Sequence, residues 1–302
     1  MGDEAAITRI GILGMGEAGT TFARALASAG AVVAAYDKAW DQASADSLSQ
    51  RPAECPGVRT CLLPELLAAS EIVLSTVTTD AAVEVAEACA PDLGPRHIYC
   101  DLNSTAPAVK LRLLDLLEPT GAEFVEGAIL GAIGVTGANT HILLGGRAAG
   151  KLSQTLNRFG LNTSPYSHDI GKASTFKLLR SVFSKGLEAL VIEFLLAGEK
   201  AGLRNELWDE VTTLMSRSGF ESVARNWICS HGVAHERRYH EMNQVTELLA
   251  DMGVDPIMTA ATTRFFERST ALRLHRHFDS RPDQIDPVIE ALLQLTSEGP
   301  VR

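Results

Sequence analysis

The sequence predicts an α/β protein, a doubly wound parallel sheet over residues 1–166 followed by an all-α domain over residues 167–302. Two observations carry this. Up to about Ser167, short apolar runs alternate with segments of helical period, the pattern of a parallel sheet with crossover helices. From Lys172 onward the strand pattern stops and at least four helical segments follow. A length of 302 residues suits about two domains, each with chain enough for a core.

The first strand is the apolar run closing on Ile10, Ile12 and Leu13. It leads into Gly14-Met15-Gly16-Glu17-Ala18-Gly19, a G-x-G-x-x-G loop, and then into a helix with apolar positions at Phe22, Ala25, Leu26 and Ala29. Gly30 ends that helix and Ala31 to Tyr36 read as a second buried strand with Asp37 at its end. Strand, glycine loop, helix and terminal acid in this order form the dinucleotide-binding fingerprint of a Rossmann-type fold. Its glycines admit a pyrophosphate to the backbone at the helix N-terminus. Asp37, 18 residues past Gly19, sits where a carboxylate accepts from a ribose 2′-hydroxyl, which favours NAD; Lys38 beside it leaves NADP open. The bland reading of Asp37 is an ordinary turn residue.

Further along, Asp41 to Pro56 suggests a helix and a loop. Val58 to Leu62 suits a third strand, and Pro64 to Ala69 a helical turn with proline at its start. Glu71 to Val77 is the fourth strand, and Asp80 to Ala90 a helix capped by Thr78 or Thr79. Ile98 to Leu102 is the fifth strand, and Asn103-Ser-Thr-Ala-Pro107 a strand-to-helix turn. Glu123 to Glu126 and His141 to Leu144 add two more strands. The expected C-terminal helices are Lys172 to Ala201, Glu206 to Ser216, Val233 to Met252, one opened by Asp255 and Pro256 as N-cap and N1, and Gln284 to Leu295. With no low-complexity linker, the two domains should abut, with a cleft beside the C-terminal ends of the strands.

Composition narrows the function class. Lys and Arg number 27 against 37 Asp and Glu, a net charge of −10 with no basic run, so no nucleic-acid footprint is expected. Five scattered cysteines without a C-x-x-C suit reduced thiols rather than disulfides or zinc. The opening MGDEAAITRI is acidic and runs straight into the first strand, and neither a secretory signal nor a myristoylation pattern is expected. No apolar run reaches the roughly 18 residues of a membrane span. The expected location is the cytoplasm.

Outside the glycine loop, the long helix is the most informative segment. Lys177, Arg180, Ser181, Ser184 and Glu188 fall on one face, among apolar neighbours such as Leu178, Leu179, Val182 and Phe183. Two readings stand: a solvated face, or a face lining the cleft. In the second, a partly desolvated lysine would titrate near neutrality and act as general acid/base at a carbonyl oxygen.

Four blocks resemble the β-hydroxyacid dehydrogenases, which include 3-hydroxyisobutyrate, tartronate semialdehyde and, more distantly, 6-phosphogluconate enzymes. They are GILGMGEAGTTFARAL, Asp101-Leu-Asn-Ser-Thr-Ala-Pro107 against D-x-S-T-x-x-P, Phe124-Val-Glu-Gly-Ala-Ile-Leu-Gly-Ala132 against F-x-D-A-P-V-S-G-G, and Gly171-Lys-Ala-Ser-Thr-Phe-Lys177 against G-x-G-x-x-x-K. The resemblance implies that Lys177 is the catalytic lysine, that Ser104 and Asn103 contact substrate, and that Thr76, Val77 and Asn103 pass the cofactor. It also implies a homodimer through the helical domain, which the apolar length of Lys172 to Ala201 independently suggests. Two departures stand out: the asparagines after the lysine are Arg180 and Ser181, and the carboxylate-gripping S-G-G is Leu130-Gly131-Ala132. A site that holds a carboxylate through serine loses that bond with leucine, which argues against the usual small hydroxy acids.

The helix also resembles a subgroup of phosphogluconate dehydrogenase-like proteins with a distinctive C-terminal domain. That subgroup shares H-x-R-R-x-x-E-M with His235 to Met242. His235 and Arg238 share a helix face and either bring a ring and a cation to the substrate or form a surface stripe. A metal site is not expected, because His235-Glu236 lacks the second histidine of H-E-x-x-H. The leading expectation is an NAD(P)-dependent enzyme interconverting an alcohol and a carbonyl on a small polar metabolite. Imine reduction is a second reading, which Lys177 argues against because imine reductases usually lack it. A nucleotide-binding sensor without turnover is a third.

Overall fold

A computed structural model describes residues 8–40 and 55–297. The helix and loop expected over Asp41 to Pro56 lie, up to residue 54, outside the described residues. The chain forms two compact units, Met1–Ser181 and Val182–Arg302, dividing inside the long helix rather than ahead of it.

In the first unit eight strands make one sheet: β1 (Arg9–Leu13), β2 (Val32–Tyr36), β3 (Val58–Thr60), β4 (Ile72–Ser75), β5 (Ile98–Asp101), β6 (Glu123–Ile129), β7 (His141–Gly145) and β8 (Asn162–Ser167). Their spatial order is β3-β2-β1-β4-β5-β6-β7-β8. The first six are parallel, and their order reverses between β1 and β4, the crevice where dinucleotides bind in such sheets. The sheet is mostly parallel, as expected, and departs from that only at its far edge. There β7 runs antiparallel to β6 and β8 parallel to β7. The segment joining β6 to β7 holds no full crossover helix, just the four-residue turn α5 (Ile133–Thr136) and a 3-10 turn (Gly137–Asn139), and so returns the chain antiparallel.

Alternation along each strand feeds two cores. Ile10 and Ile12 pack with Phe22 and Leu26 of α1 (Glu17–Ser28) on one face. Leu13, Val73 and Tyr99 pack with Leu113 and Leu117 of α4 (Pro107–Leu117) on the other. Phe22 has no exposed surface, and truncating such a side chain to alanine costs about 3–5 kcal/mol. Helix α2 (Leu63–Ala69) lies against Gly11, where a Cβ would fall 2.4 Å from Leu66 Cδ2. Helix α3 (Ala82–Cys89) starts after Ala81 with no side-chain cap, so neither Thr78 nor Thr79 caps it as expected. Helix α6 (Ala149–Arg158) covers the antiparallel edge.

Helix α7 (Lys172–Ala201) begins in the first unit and continues into the second. The second unit adds α8 (Arg204–Ser218), α9 (Phe220–Asp251), α10 (Ile257–Ala271) and α11 (Asp286–Ser297). Helix α9 starts 13 residues before the expected Val233. Gly232 lies inside it as a packing glycine: a Cβ there would lie 3.0 Å from the Phe278 ring. Helix α10 starts at Ile257, with Pro256 rather than Asp255 as its N-cap residue. Its first amides are capped instead by the buried Glu193, which accepts from Met258 and Thr259 N–H at 2.6 and 2.8 Å. Among the described residues no helix is long and apolar enough to cross a membrane.

Candidate active site

The glycine loop is built as a cradle. Gly14 has φ +85°, a conformation glycine adopts without strain, and its N–H donates to Tyr36 O at 2.9 Å. A Cβ on Gly19 would stand 1.9 Å from Gly14 O, so the helix can close on the loop only with glycine there. Gly16 differs: a Cβ on it meets nothing within 4 Å. It is the N-cap of α1, and no side chain caps that helix. Open space in front of an uncapped helix N-terminus is what a pyrophosphate requires.

Asp37 closes the loop from β2. Its Oδ2 accepts from Met15 N–H at 2.8 Å and its Oδ1 from Ala39 N–H at 2.9 Å. Each oxygen keeps a second lone pair for a ribose hydroxyl. Lys38 pairs with Glu84 at 2.5 Å. Thr76, after β4, carries a hydroxyl 2.8 Å from Gly14 O, which ties the two loops of the crevice together.

A pocket of about 490 Å³ opens here within the first unit. Glu17 and Ala18 of α1 line it with Thr76 and Val77 after β4, and so do Asn103, Ser104, Gly131 and Lys177. Lys177 Nζ donates to Ser104 Oγ. Desolvation, and then the neighbouring Lys110 ammonium, lower the Lys177 pKa from its ordinary 10.5.

The other expected site residues are placed differently. Leu130 packs beside Ala128, Leu143 and Ala173 and does not line the pocket. Arg180 is exposed, and Ser181 donates to Lys177 O along its own helix at 3.0 Å. His235 and Arg238 belong to the second unit. There His235 is fully buried, with Nδ1 3.0 Å from His231 O and its ring stacked on His275. Arg238 donates to Ser230 Oγ at 2.6 Å and Trp227 O at 3.3 Å. On α7 the polar residues Lys177, Ser181 and Ser184 are half-buried, while Leu179 and Val182 are 66% and 73% exposed. Arg180 and Glu188 of the same face are exposed, so the stripe is solvated only in part.

Two buried charges that sequence reading missed hold this site. Glu126 of β6, with no exposed surface, accepts from Gly171 and Ala173 N–H at 2.7 and 2.9 Å and from Ser174 Oγ at 2.8 Å, capping α7. A Cβ on Gly145 would fall 2.7 Å from Glu126 Oε1, so the facing strand needs glycine to let the carboxylate through. Lys110 of α4 is equally buried and pairs with Asp101 at 2.5 Å. Burial pushes the Asp101 carboxyl up, and Lys110 and Asn103 oppose that shift. Both had a readable signal. Lys110 sits on the helix face of Leu113 and Leu117, and Glu126 interrupts a buried strand.

Comparison with known proteins agrees with this geometry. The family model described as the NAD binding domain of 6-phosphogluconate dehydrogenase matches residues 9–164, more than half of the chain. A domain of unknown function (DUF1932) matches residues 199–269. The solved structure of conserved protein MTH1747, which revealed similarity to 3-hydroxyacid dehydrogenases, is 30% identical with a TM-score of 0.57, covering 88% of this chain and 98% of its own. The 2-(hydroxymethyl)glutarate dehydrogenase of Eubacterium barkeri is 23% identical over 95% of this chain and 96% of its own. The reductive aminase of Aspergillus terreus, solved with NADPH and ethyl levulinate, is 18% identical with a TM-score of 0.72, over 94% and 99% of the two chains, a likeness of fold. The chain thus belongs to the family of the 6-phosphogluconate dehydrogenase NAD-binding domain, and its first unit is an NAD(P)-binding domain.

Proposed function

We propose that the protein is an oxidoreductase that interconverts an alcohol and a carbonyl on a small polar metabolite, with NAD as the preferred cofactor and Lys177 as general acid/base. The observation that carries this reading is the Lys177–Ser104 hydrogen bond in the pocket that the glycine loop and Thr76 also line. Bound on the glycine loop, the nicotinamide cofactor would supply or accept the hydride. Lys177 in its ammonium form gives a proton to the carbonyl oxygen in reduction, and neutral Lys177 takes it from the hydroxyl in oxidation. Its lowered pKa brings both forms nearer neutral pH. Ser104 orients the reacting oxygen against Lys177. Asp37 disfavours the 2′-phosphate of NADP by like charge. The name of the Eubacterium barkeri relative supports hydroxyl chemistry. The wall at Gly131 and Ala132 offers no side-chain donor for a carboxylate, so substrates are expected to be held elsewhere than in a hydroxy acid dehydrogenase.

Lys177→Met should abolish NADH-linked turnover, while fluorescence titration still finds NADH bound. Turnover retained by that variant sinks the acid/base role. Reduction of C=N is the second reading, favoured by the fold likeness to the reductive aminase. A screen of aldehydes, hydroxy acids, hydroxy amino acids and cyclic imines, followed by NADH absorbance, separates the two: imine turnover that survives Lys177→Met selects the second. We also propose a homodimer, because Leu179, Val182, Ile192 and Leu196 expose more than half their surface along α7. Light scattering should find twice the 32.3 kDa chain mass, and a monomer at working concentration contradicts it.

A further inference from the structure

Lys110 occupies an unfavourable place for a cation. It lies in the first turn of α4, at the end of the helix dipole that favours anions, and it has no exposed surface. Its ammonium has three donors, and the structure gives each an acceptor: Asp101 Oδ2 at 2.5 Å, Asp101 O at 2.9 Å and Asn103 O at 2.8 Å. Asp101 Oδ1 in turn accepts from Asn103 Nδ2, which also donates to Ser75 Oγ at 3.1 Å. The backbone from Asp101 to Asn103 is thus closed around one buried ammonium. The next residue, Ser104, is the one that meets Lys177.

A buried ion pair of this kind adds little net stability, and a neutral pair of similar volume is often as stable. Its worth lies in geometry. We propose that Lys110 is a positioning residue for the acid/base: it clamps the Asp101–Asn103 turn so that the Ser104 hydroxyl is presented to the Lys177 ammonium. This rests on reading Lys177 as the acid/base. Of the charged groups, Lys110 from α4 acts on Lys177 directly and Glu17 from α1 lines the same pocket, while Asp101 from β5 pairs with Lys110 and Glu126 from β6 holds the first amides of α7. Because these charges act together, the test isolates the Ser104 contribution rather than any single charge.

The test needs neither substrate nor cofactor. Lys177 is labelled with acetic anhydride across pH 7 to 11, and its modification is followed by mass spectrometry of the peptide that carries it. In the native protein, Ser104→Ala removes the acceptor of the ammonium, so Lys177 gives up its proton more readily and labels faster at pH 8, by about threefold or more. Lys110→Met alone would leave Asp101 charged and unpaired and is expected to unfold the domain. Lys110→Met combined with Asp101→Asn removes both charges and keeps the fold, which thermal unfolding reports. In that background Ser104→Ala should change the labelling profile by less than about 1.5-fold, because the turn no longer presents the hydroxyl. Equal effects of Ser104→Ala in both backgrounds overturn the proposal, as does a native protein whose labelling ignores Ser104→Ala. Failure of the redox reading shows separately, as native protein that binds no NADH or turns over no carbonyl.

Discussion

Replacing Gly16 by valine separates cofactor binding from folding, and Gly19 supplies the contrast. At Gly16 the backbone is ordinary, φ −72°, and an added Cβ meets nothing within 4 Å. Valine is a poorer N-cap residue than glycine, a loss of about 1 kcal/mol, or roughly 2–4 °C in melting temperature for a domain of this size. That open space is where the pyrophosphate must approach, so affinity for NADH should fall more than tenfold, about 1.4 kcal/mol or more. At Gly19 the same atom would stand 1.9 Å from Gly14 O and 2.7 Å from Thr76 Oγ1. Neither backbone nor a bonded hydroxyl can yield cheaply, so Gly19→Ala should cost about 3 kcal/mol, roughly 6–12 °C. Circular dichroism melts and NADH fluorescence titration read the two quantities on the same samples. Native affinity in the Gly16 variant would falsify the placement of the cofactor on this loop.

Two further outcomes follow from charge. Asp37→Asn keeps an acceptor for the Met15 N–H and removes the negative charge, so the preference for NAD over NADP should narrow by about 1–2 kcal/mol after solvent screening; a ratio of dissociation constants that does not move rejects the role given to Asp37. In the helical unit, desolvation, and then His235 and Arg238, lower the His231 pKa from 6.5 to about 4. The folded value lies below the unfolded one, so the unfolded chain takes the proton first. Stability is therefore complete above about pH 6.5 and is lost as pH falls from 6.5 toward 4. Urea unfolding at pH 5 should give about 1–2 kcal/mol less than at pH 7.5, and His231→Gln should remove much of that difference, the remainder belonging to His235, whose pKa desolvation also lowers. The Glu193 cap acts in the same direction at lower pH: desolvation opposes its ionisation, but bonds from Thr259 and the α10 amides hold its pKa below the ordinary value. An unchanged slope in the His231 variant would assign the whole effect to His235 and such carboxylates.

Periodicity and turn chemistry made most of the first unit legible. Six parallel strands, the glycine loop and the proline start of α4 are local patterns, each repeated in the backbone. The limits of α7 could be read to the residue because a long, largely apolar segment without proline runs from Lys172 to Ala201 and Gly202 follows it. Strand β8 was hidden because Asn162-Thr-Ser-Pro-Tyr-Ser167 buries one side chain only and shows no apolar run. The antiparallel return of β7 depends on the length and shape of the segment before it, which residue type does not encode. Site residues divide along the same line. Lys177 and Ser104 stand in recognisable motifs and meet, whereas Leu130 occupies a motif position yet turns into a small core cluster. Lys110 and Glu126 were overlooked because a charge on a buried face is read as an interruption of the pattern until its partners are seen.

Those two charges explain how the site is held. Asp101 and Glu126 are register partners on neighbouring parallel strands, and both are fully buried. Two carboxylates at one level inside a sheet are costly unless each is compensated. Lys110 compensates the first and in doing so closes the turn that carries Ser104. The amides opening α7 compensate the second and so anchor the helix that carries Lys177. Each half of the Lys177–Ser104 contact is therefore tied to its own buried carboxylate, one strand apart. Leu130, Arg180 and Ser181 lie outside this frame, since none of them bonds to Asp101, Lys110 or Glu126 among the described contacts. Departures from the family motif at those three positions therefore leave the Lys177–Ser104 contact in place, which is how a chain in this family can keep that pair while the residues around it differ from the common pattern.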